Sequence, residues 1–156
     1  MLSLKVAVKV VTDYRQLRKK ADQAKERVLK RGGALVRKIM RSSIKYRAKG
    51  RAPVGSPPYA HTKNGGIKNL ILFQYDPKTQ SVVIGPARDP QAVDNIAPVP
   101  GTLEQGGRSK IRLPPALRKA RGKATTIATV RARPFARPAL EQFEKSYPDL
   151  WREAIQ

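Results

Sequence analysis

The segment from Ile67 to Pro86 constrains the fold of this chain most, because it predicts two strands joined by a tight turn. The first strand, residues 67–75, is mostly apolar on both of its alternating faces, which predicts that both faces are covered. In the turn, Pro77 presets φ and the side chain of Asp76 is placed to accept backbone hydrogen bonds. Residues 81–85 are the β-branched return strand. A lone hairpin is marginally stable in water, so helices must pack on it.

The N-terminal third predicts a strand followed by one long helix. Residues 2–11 alternate apolar and polar side chains, the pattern of a half-buried strand. In residues 12–48, apolar side chains recur at spacings of three, four and seven, which predicts a helix with one apolar stripe that includes Leu17. Gly32 and Gly33 interrupt this helix and predict either a kink or the close approach of another backbone.

Prolines and glycines divide the rest of the chain. Residues 48–66 predict a loop, and residues 87–132 predict a segment of loops and strands, with strands expected at 109–113 and 124–133. Residues 133–156 predict a C-terminal helix, nearly neutral and divided by a proline. We therefore expect a single domain over residues 1–156. Its fold class is α+β: a small antiparallel sheet built around the central hairpin, packed by the long basic helix and the C-terminal helix, with long loops.

Charge is the strongest global signal. The chain has 33 lysine and arginine residues against 11 aspartate and glutamate residues, a net charge of +22. Such an excess repels itself in a compact state and implies a polyanionic partner or a neutralising assembly; a solvated basic surface is the alternative. The cations concentrate on the polar face of the long helix. The candidate contacts with DNA or an acidic partner are Arg15, Arg18, Lys19, Lys30, Arg31, Arg37, Lys38, Arg41, Lys45 and Arg47.

The sequence offers no constellation for catalysis or metal binding. With no cysteine and His61 as the single histidine, thiolate sites, a histidine-based triad and multi-histidine metal sites are excluded. The carboxylates show no paired spacing for acid–base work, and the glycines form no phosphate-loop motif. We expect no enzyme activity, cofactor or metal, although a Mg²⁺-dependent nuclease is an alternative that these observations disfavour.

The chain also lacks the signatures of sequence-specific nucleic-acid readers and of membrane proteins. No zinc finger, RNA-binding signature or compact helix-turn-helix is present, so any DNA contact should involve phosphates and ignore sequence. No apolar run approaches the roughly 20 residues that span a bilayer. We expect a soluble protein that is intracellular where it is made, with no membrane partner.

Three motifs carry a resemblance to a known family. The first is residues 33–40, late in the basic helix; the second runs from residues 55–58 through His61 into the hairpin; the third, residues 133–141, opens the terminal helix. In order and spacing they resemble the tail-component family of long-tailed double-stranded DNA bacteriophages, whose members are called tail-completion or neck proteins. Residues 87–132 depart from the family pattern as an insertion.

The resemblance implies a structural, non-catalytic α+β subunit of the virion head–tail junction. It implies a ring of copies of this chain, expected to be hexameric, that joins the head connector to the tail around the DNA path. The implied partners are neighbouring connector and tail proteins and, without sequence preference, double-stranded DNA. The implied location is the tail or neck of the virion, after synthesis in the host cytoplasm.

Two loops, residues 48–66 and 87–101, are expected to contact other subunits or rings, because they are long and rich in proline. The candidate contact residues are Pro57, Pro58, Tyr59, His61, Pro98 and Pro100. The alternative function is a free basic protein that binds nucleic acid without sequence preference. It predicts a monomer or dimer whose affinity falls steeply with salt.

Overall fold

The computed structural model, which describes residues 2–61, 66–87, 99–113 and 115–155, is built on one long helix, α1 (Leu2–Ser43). The prediction of a strand at residues 2–11 is wrong, because this segment is helical. Its apolar residues also recur four apart, and a helix satisfies its backbone hydrogen bonds internally, whereas a strand needs a partner. Both sheets among the described residues are two-stranded pairs that leave this segment out.

The central hairpin is present, with a later start than predicted. After a helical turn, α2 (Ile67–Leu70), strand β1 (Ile71–Asp76) pairs antiparallel with β2 (Ser81–Pro86). The ladder ends where Ile71 faces Pro86. Proline has no N–H to donate, and the residues before Ile71 turn into α2 instead.

The hairpin turn is held by Asp76, as predicted. Its Oδ1 accepts the backbone N–H of Lys78 at 2.9 Å, and its Oδ2 accepts the Thr79 hydroxyl at 2.8 Å. These donors, the Thr79 hydroxyl first, favour the carboxylate and hold the pKa of Asp76 below its ordinary value of 3.8.

Replacing Asp76 with asparagine is expected to destabilise the fold near neutral pH and to have less effect in acid. A depressed folded pKa gives stability that is fully present above the unfolded pKa and is lost as the pH falls through the folded value. The difference in denaturant midpoint between wild type and D76N should therefore shrink between about pH 7 and about pH 2. A difference that is the same at both pH values would contradict this assignment.

The core lies where α1 packs between the hairpin and the C-terminal helices. Ile71 on the inner face of β1 is fully buried, with Met40 of α1, Ile44 directly after α1, and Phe135. The prediction that both faces of the first strand are covered is wrong: Leu72 and Val83, on the outer face, are 48% and 69% exposed. In the described part of the chain, α1 packs on the hairpin from its inner face.

Other side chains pack closely against Gly32 and Gly33 of α1. A Cβ at Gly32 would lie 2.8 Å from Cζ of Phe143, and one at Gly33 would lie 2.8 Å from both Phe73 Cδ2 and Val82 Cγ1. The helix runs unbroken through the glycines, and it is aromatic and aliphatic side chains, not another backbone, that approach them. Because the glycines have no side chain, α1 can pack closely against both the hairpin and α5.

Residues 99–130 contain a second small sheet. Helix α3 (Val99–Gln105) leads into β3 (Gly107–Arg112), which pairs antiparallel with β4 (Thr125–Val130) around helix α4 (Pro115–Arg121). The predicted strands at 109–113 and 124–133 are confirmed with shifted bounds. They pair with each other and not with the central hairpin, so the fold is α+β with two small antiparallel sheets.

The C-terminal helix is divided as expected, into α5 (Arg137–Glu144) and α6 (Tyr147–Ile155). No side chain of its own caps the start of α5. Glu104 of α3 does so from a distance: its carboxylate accepts the backbone N–H groups of Phe135, Ala136 and Arg137 at 2.9, 3.0 and 2.8 Å. The Glu104 carboxylate thus links α3, which precedes the second sheet, to α5, which packs on α1.

Candidate polyanion-binding surface

The structure leaves most of the ten predicted cations on the surface. Arg37 and Arg41 are half-buried, and the other eight are exposed. Several of them also support the fold. Lys30 pairs with Glu26 at 2.6 Å and lies 5.4 Å from the ring centroid of Tyr75, and Arg31 forms an ion pair with Glu153. Such exposed pairs contribute only about 0–1 kcal/mol each.

The predicted cations are not all gathered in one place. Arg15, Arg18 and Lys19 lie on a part of α1, residues 14–23, whose side chains are exposed on every face. Leu17, predicted as part of the buried stripe, is 66% exposed, so that prediction is wrong. The burial of α1 begins further along, where the hairpin and the C-terminal helices reach it.

Three of the predicted cations and one further cation, Lys68, line a cleft that we call the cationic groove. It is a cleft of about 440 Å³ between α1 and α2. Its lining residues are Ala34, Arg37, Lys38, Arg41, Ser42 and Lys68. These described lining residues include four cations and no carboxylate, so the groove concentrates positive charge.

One backbone carbonyl and one side-chain amide near α2 contact two of the groove's guanidinium groups. Arg37 Nε donates to the carbonyl of Ile71 at 2.9 Å, and Arg41 Nη2 lies 3.5 Å from Asn69 Oδ1. Each contact uses one of the five N–H donors of a guanidinium, which leaves others for a ligand. The groove is thus partly preorganised by the start of β1.

Lys68 is the groove residue that sequence reasoning missed. The sequence predicts Lys68 in the first strand, where alternation would place it on the outer face of the sheet, away from α1. The helical turn α2 brings it to Arg41 instead. The available signal was local: Gly66 and Asn69 are turn-forming residues on either side of it, and the Asn69 N–H bonds to the Gly66 carbonyl at 3.1 Å.

The first predicted contact loop is largely fixed by its own subunit. Backbone bonds join residues 45–47 to Ala60, and the N–H of Gly55 donates to the Ala132 carbonyl at 3.1 Å. Pro58, predicted as a contact residue, is buried within the subunit. Neighbouring parts of the same chain cover Pro58, whereas the sequence predicts an open loop.

The other loop candidates have mixed surroundings. Pro57 and Tyr59 are half-buried, and the ring centroid of Tyr59 lies 5.6 Å from Cζ of Arg47. His61 is exposed, with its Nδ1 donating to the Arg47 carbonyl at 2.8 Å. Pro100 is half-buried in α3. Pro98 lies outside the described residues.

A second cationic segment lies beyond the long helix. Between Glu104 and Glu141 there is no carboxylate. The cations of this stretch are Arg108, Lys110, Arg112, Arg118, Lys119, Arg121, Lys123, Arg131, Arg133 and Arg137. Arg108 and Lys110 are exposed on one face of β3. The excess charge is therefore spread beyond the long helix.

The described part of the chain shows neither a metal centre nor a membrane span. Within it, no three histidine, aspartate or glutamate side chains come together as metal ligands. No helix in those residues has the length and apolar character needed to cross a bilayer. Positive charge and hydrogen-bond donors are what the candidate surface offers, which suits binding of anions.

Comparison with known proteins adds no assignment: no family model matches the chain, and no curated protein or solved structure is detectably similar to it. The function is therefore inferred from the sequence motifs and from the charged surfaces described above.

Proposed function

We propose that this chain is a structural, non-catalytic protein of the head–tail junction of a long-tailed bacteriophage. Copies of it close into a ring around the DNA path, between connector and tail, and present cations to the DNA phosphates. The three motifs that resemble the neck-protein family support the assignment. The observation that carries it is the cationic surface of α1 with its groove.

The charge balance supports a polyanionic partner. Four ion pairs join side chains in the described part of the chain, and all of them are exposed. They pair only four of the 33 lysine and arginine residues, and the net charge of +22 already counts their carboxylates. A compact state with so many like charges gains stability when an external polyanion neutralises them, and an elongated polyanion does this at many sites together.

Exposed apolar side chains support assembly from several copies. Tyr14 and Leu17 on α1 are 63% and 66% exposed, and Ile127 on β4 is 64% exposed. With Leu72 and Val83 on the hairpin, they lie on different elements. Dissimilar patches of this kind suit a head-to-tail contact, which generates a ring when the rotation closes.

The ring is tested by the mass of the assembled protein. Native mass spectrometry or light scattering of the purified chain should show a species of about six times the 17.3 kDa subunit, and negative stain should show rings. A protein that stays monomeric at high concentration, with no ring in the images, would overturn the proposal.

A free nucleic-acid-binding protein is the second candidate, which the cationic groove supports equally. This function needs no ring, and it predicts a monomer or dimer that binds duplex DNA. The two functions differ in the mass of the DNA-free protein, which the experiment above measures.

A further inference from the structure

We propose that the cationic groove is a phosphate-binding site for the backbone of a duplex nucleic acid. The ligand groups are successive phosphodiesters, held by Arg37, Lys38, Arg41 and Lys68. This inference deepens the DNA-contact part of the proposed function and is independent of ring formation.

The groove's charge is the first argument. Four cations line one cleft of about 440 Å³, and no described lining residue compensates them. Like charges held this close repel one another, and bound anions relieve that repulsion. Two of the four are guanidinium groups, whose planar fork of donors matches phosphate oxygens in a bidentate fashion.

The surface beyond the groove is the second argument. Lys20, Arg27, Arg31 and Lys38 follow one another at intervals of seven, four and seven residues, so they share one side of α1. All four are exposed. At a rise of about 1.5 Å per residue this row is roughly 27 Å long, and it ends at the groove. An elongated ligand with regular negative charge fits such a row, whereas a free phosphate ion would use only its end.

The chemistry of the lining is the third argument. The groove presents cations, and its described lining contains no aromatic ring on which a base would stack. It therefore fits the phosphates and not the bases, and the expected binding is indifferent to sequence. An acidic protein face would also be attracted, but its carboxylates lack the regular spacing of a nucleic-acid backbone.

The test compares two triple variants of equal charge. The groove variant carries Lys38→Gln, Arg41→Gln and Lys68→Gln. The control carries Arg51→Gln, Lys78→Gln and Lys119→Gln, which are exposed cations on the loop, the hairpin turn and α4 and are not among the groove's lining residues. Arg37 is left in place because it also bonds to the Ile71 carbonyl. Circular dichroism melting checks that both variants fold.

Binding is measured by fluorescence anisotropy with a short fluorescein-labelled duplex. The groove variant should bind about 10- to 100-fold more weakly than wild type, and its plot of log affinity against log salt should be shallower by about 2.7, for three lost phosphate contacts. The control variant should lose no more than about threefold. Equal losses in both variants, or wild-type protein that does not bind the duplex, would overturn the proposal.

Polyglutamate and native mass separate the remaining explanations. Labelled polyglutamate that binds as tightly as the duplex, and with the same dependence on the groove, would identify an acidic protein face as the ligand and overturn the proposal. The native mass of each variant shows whether the ring has changed. A ring that persists in a groove variant with weakened DNA binding supports the groove site, while groove-dependent binding by a permanent monomer supports the site and contradicts the ring.

Discussion

Replacing Gly33 with leucine is expected to lower the free energy of unfolding by about 3 kcal/mol. A Cβ at this position would already lie 2.8 Å from Phe73 and from Val82, which belong to the two paired strands of the hairpin. A leucine needs still more room, so the hairpin must move away from α1 and part of the core contact is lost. The better helix propensity of leucine offsets up to about 1 kcal/mol of this cost.

Ala34→Leu is the matched control for Gly33→Leu. Ala34 is the next residue of the same helix, and it is exposed. The same side chain added there should change stability by no more than about 0.5 kcal/mol. Urea unfolding of the two variants measures the difference. If G33L is as stable as A34L, the tight packing of α1 on the hairpin is wrong.

Replacing Glu104 with alanine is expected to lower the free energy of unfolding by about 2–3 kcal/mol. The substitution leaves the N–H groups of Phe135, Ala136 and Arg137 without their acceptor. Two of these groups are partly buried, where water replaces the lost bonds poorly. The negative charge at the start of α5 is lost as well, and with it a favourable interaction with the helix dipole.

Two controls separate the capping role of Glu104 from simple loss of charge. Glu104→Gln retains an acceptor oxygen and should cost about 1 kcal/mol. Glu141→Ala removes a carboxylate whose only described partner is Arg137, in an exposed pair, and should cost less than about 1 kcal/mol. Urea unfolding of all three variants gives the comparison. An E104A loss no larger than that of E141A would show that the Glu104 carboxylate does not cap α5.

The elements that the sequence predicted correctly have local signals. The hairpin has a turn that Asp76 holds through its own neighbours, and the strands β3 and β4 show alternation bounded by glycine and proline. The division between α5 and α6 follows from a proline beside the break. In each case the decisive interaction joins residues a few positions apart, so a sequence window contains it.

The errors arise where distant parts of the chain decide the outcome. The alternation in residues 2–11 favours a strand, but a strand needs a partner that the window does not contain. Leu17 has the spacing of a core residue, and its exposure depends on how far the hairpin and α6 extend along α1. The cap on α5 comes from Glu104, about 30 positions upstream, which no capping pattern reveals.

The candidate surface was predictable in part for the same reason. Arg37, Lys38 and Arg41 are near neighbours on one helix, so their spacing places them on adjoining faces. Lys68 joins them only because the chain turns at α2 and returns to α1. The sequence predicts the basic face of α1. The groove forms only because the tertiary fold brings α2 beside that face.

The salt dependence of duplex binding by the wild-type protein tests most directly whether the excess charge serves a nucleic-acid partner. If about six phosphates are contacted, the affinity should fall on the order of 10³-fold between about 50 and 200 mM salt, equally for duplexes of unrelated sequence. Absence of binding at the lower salt concentration, or an affinity that does not change with salt, would contradict a phosphate-binding role for the cationic surface.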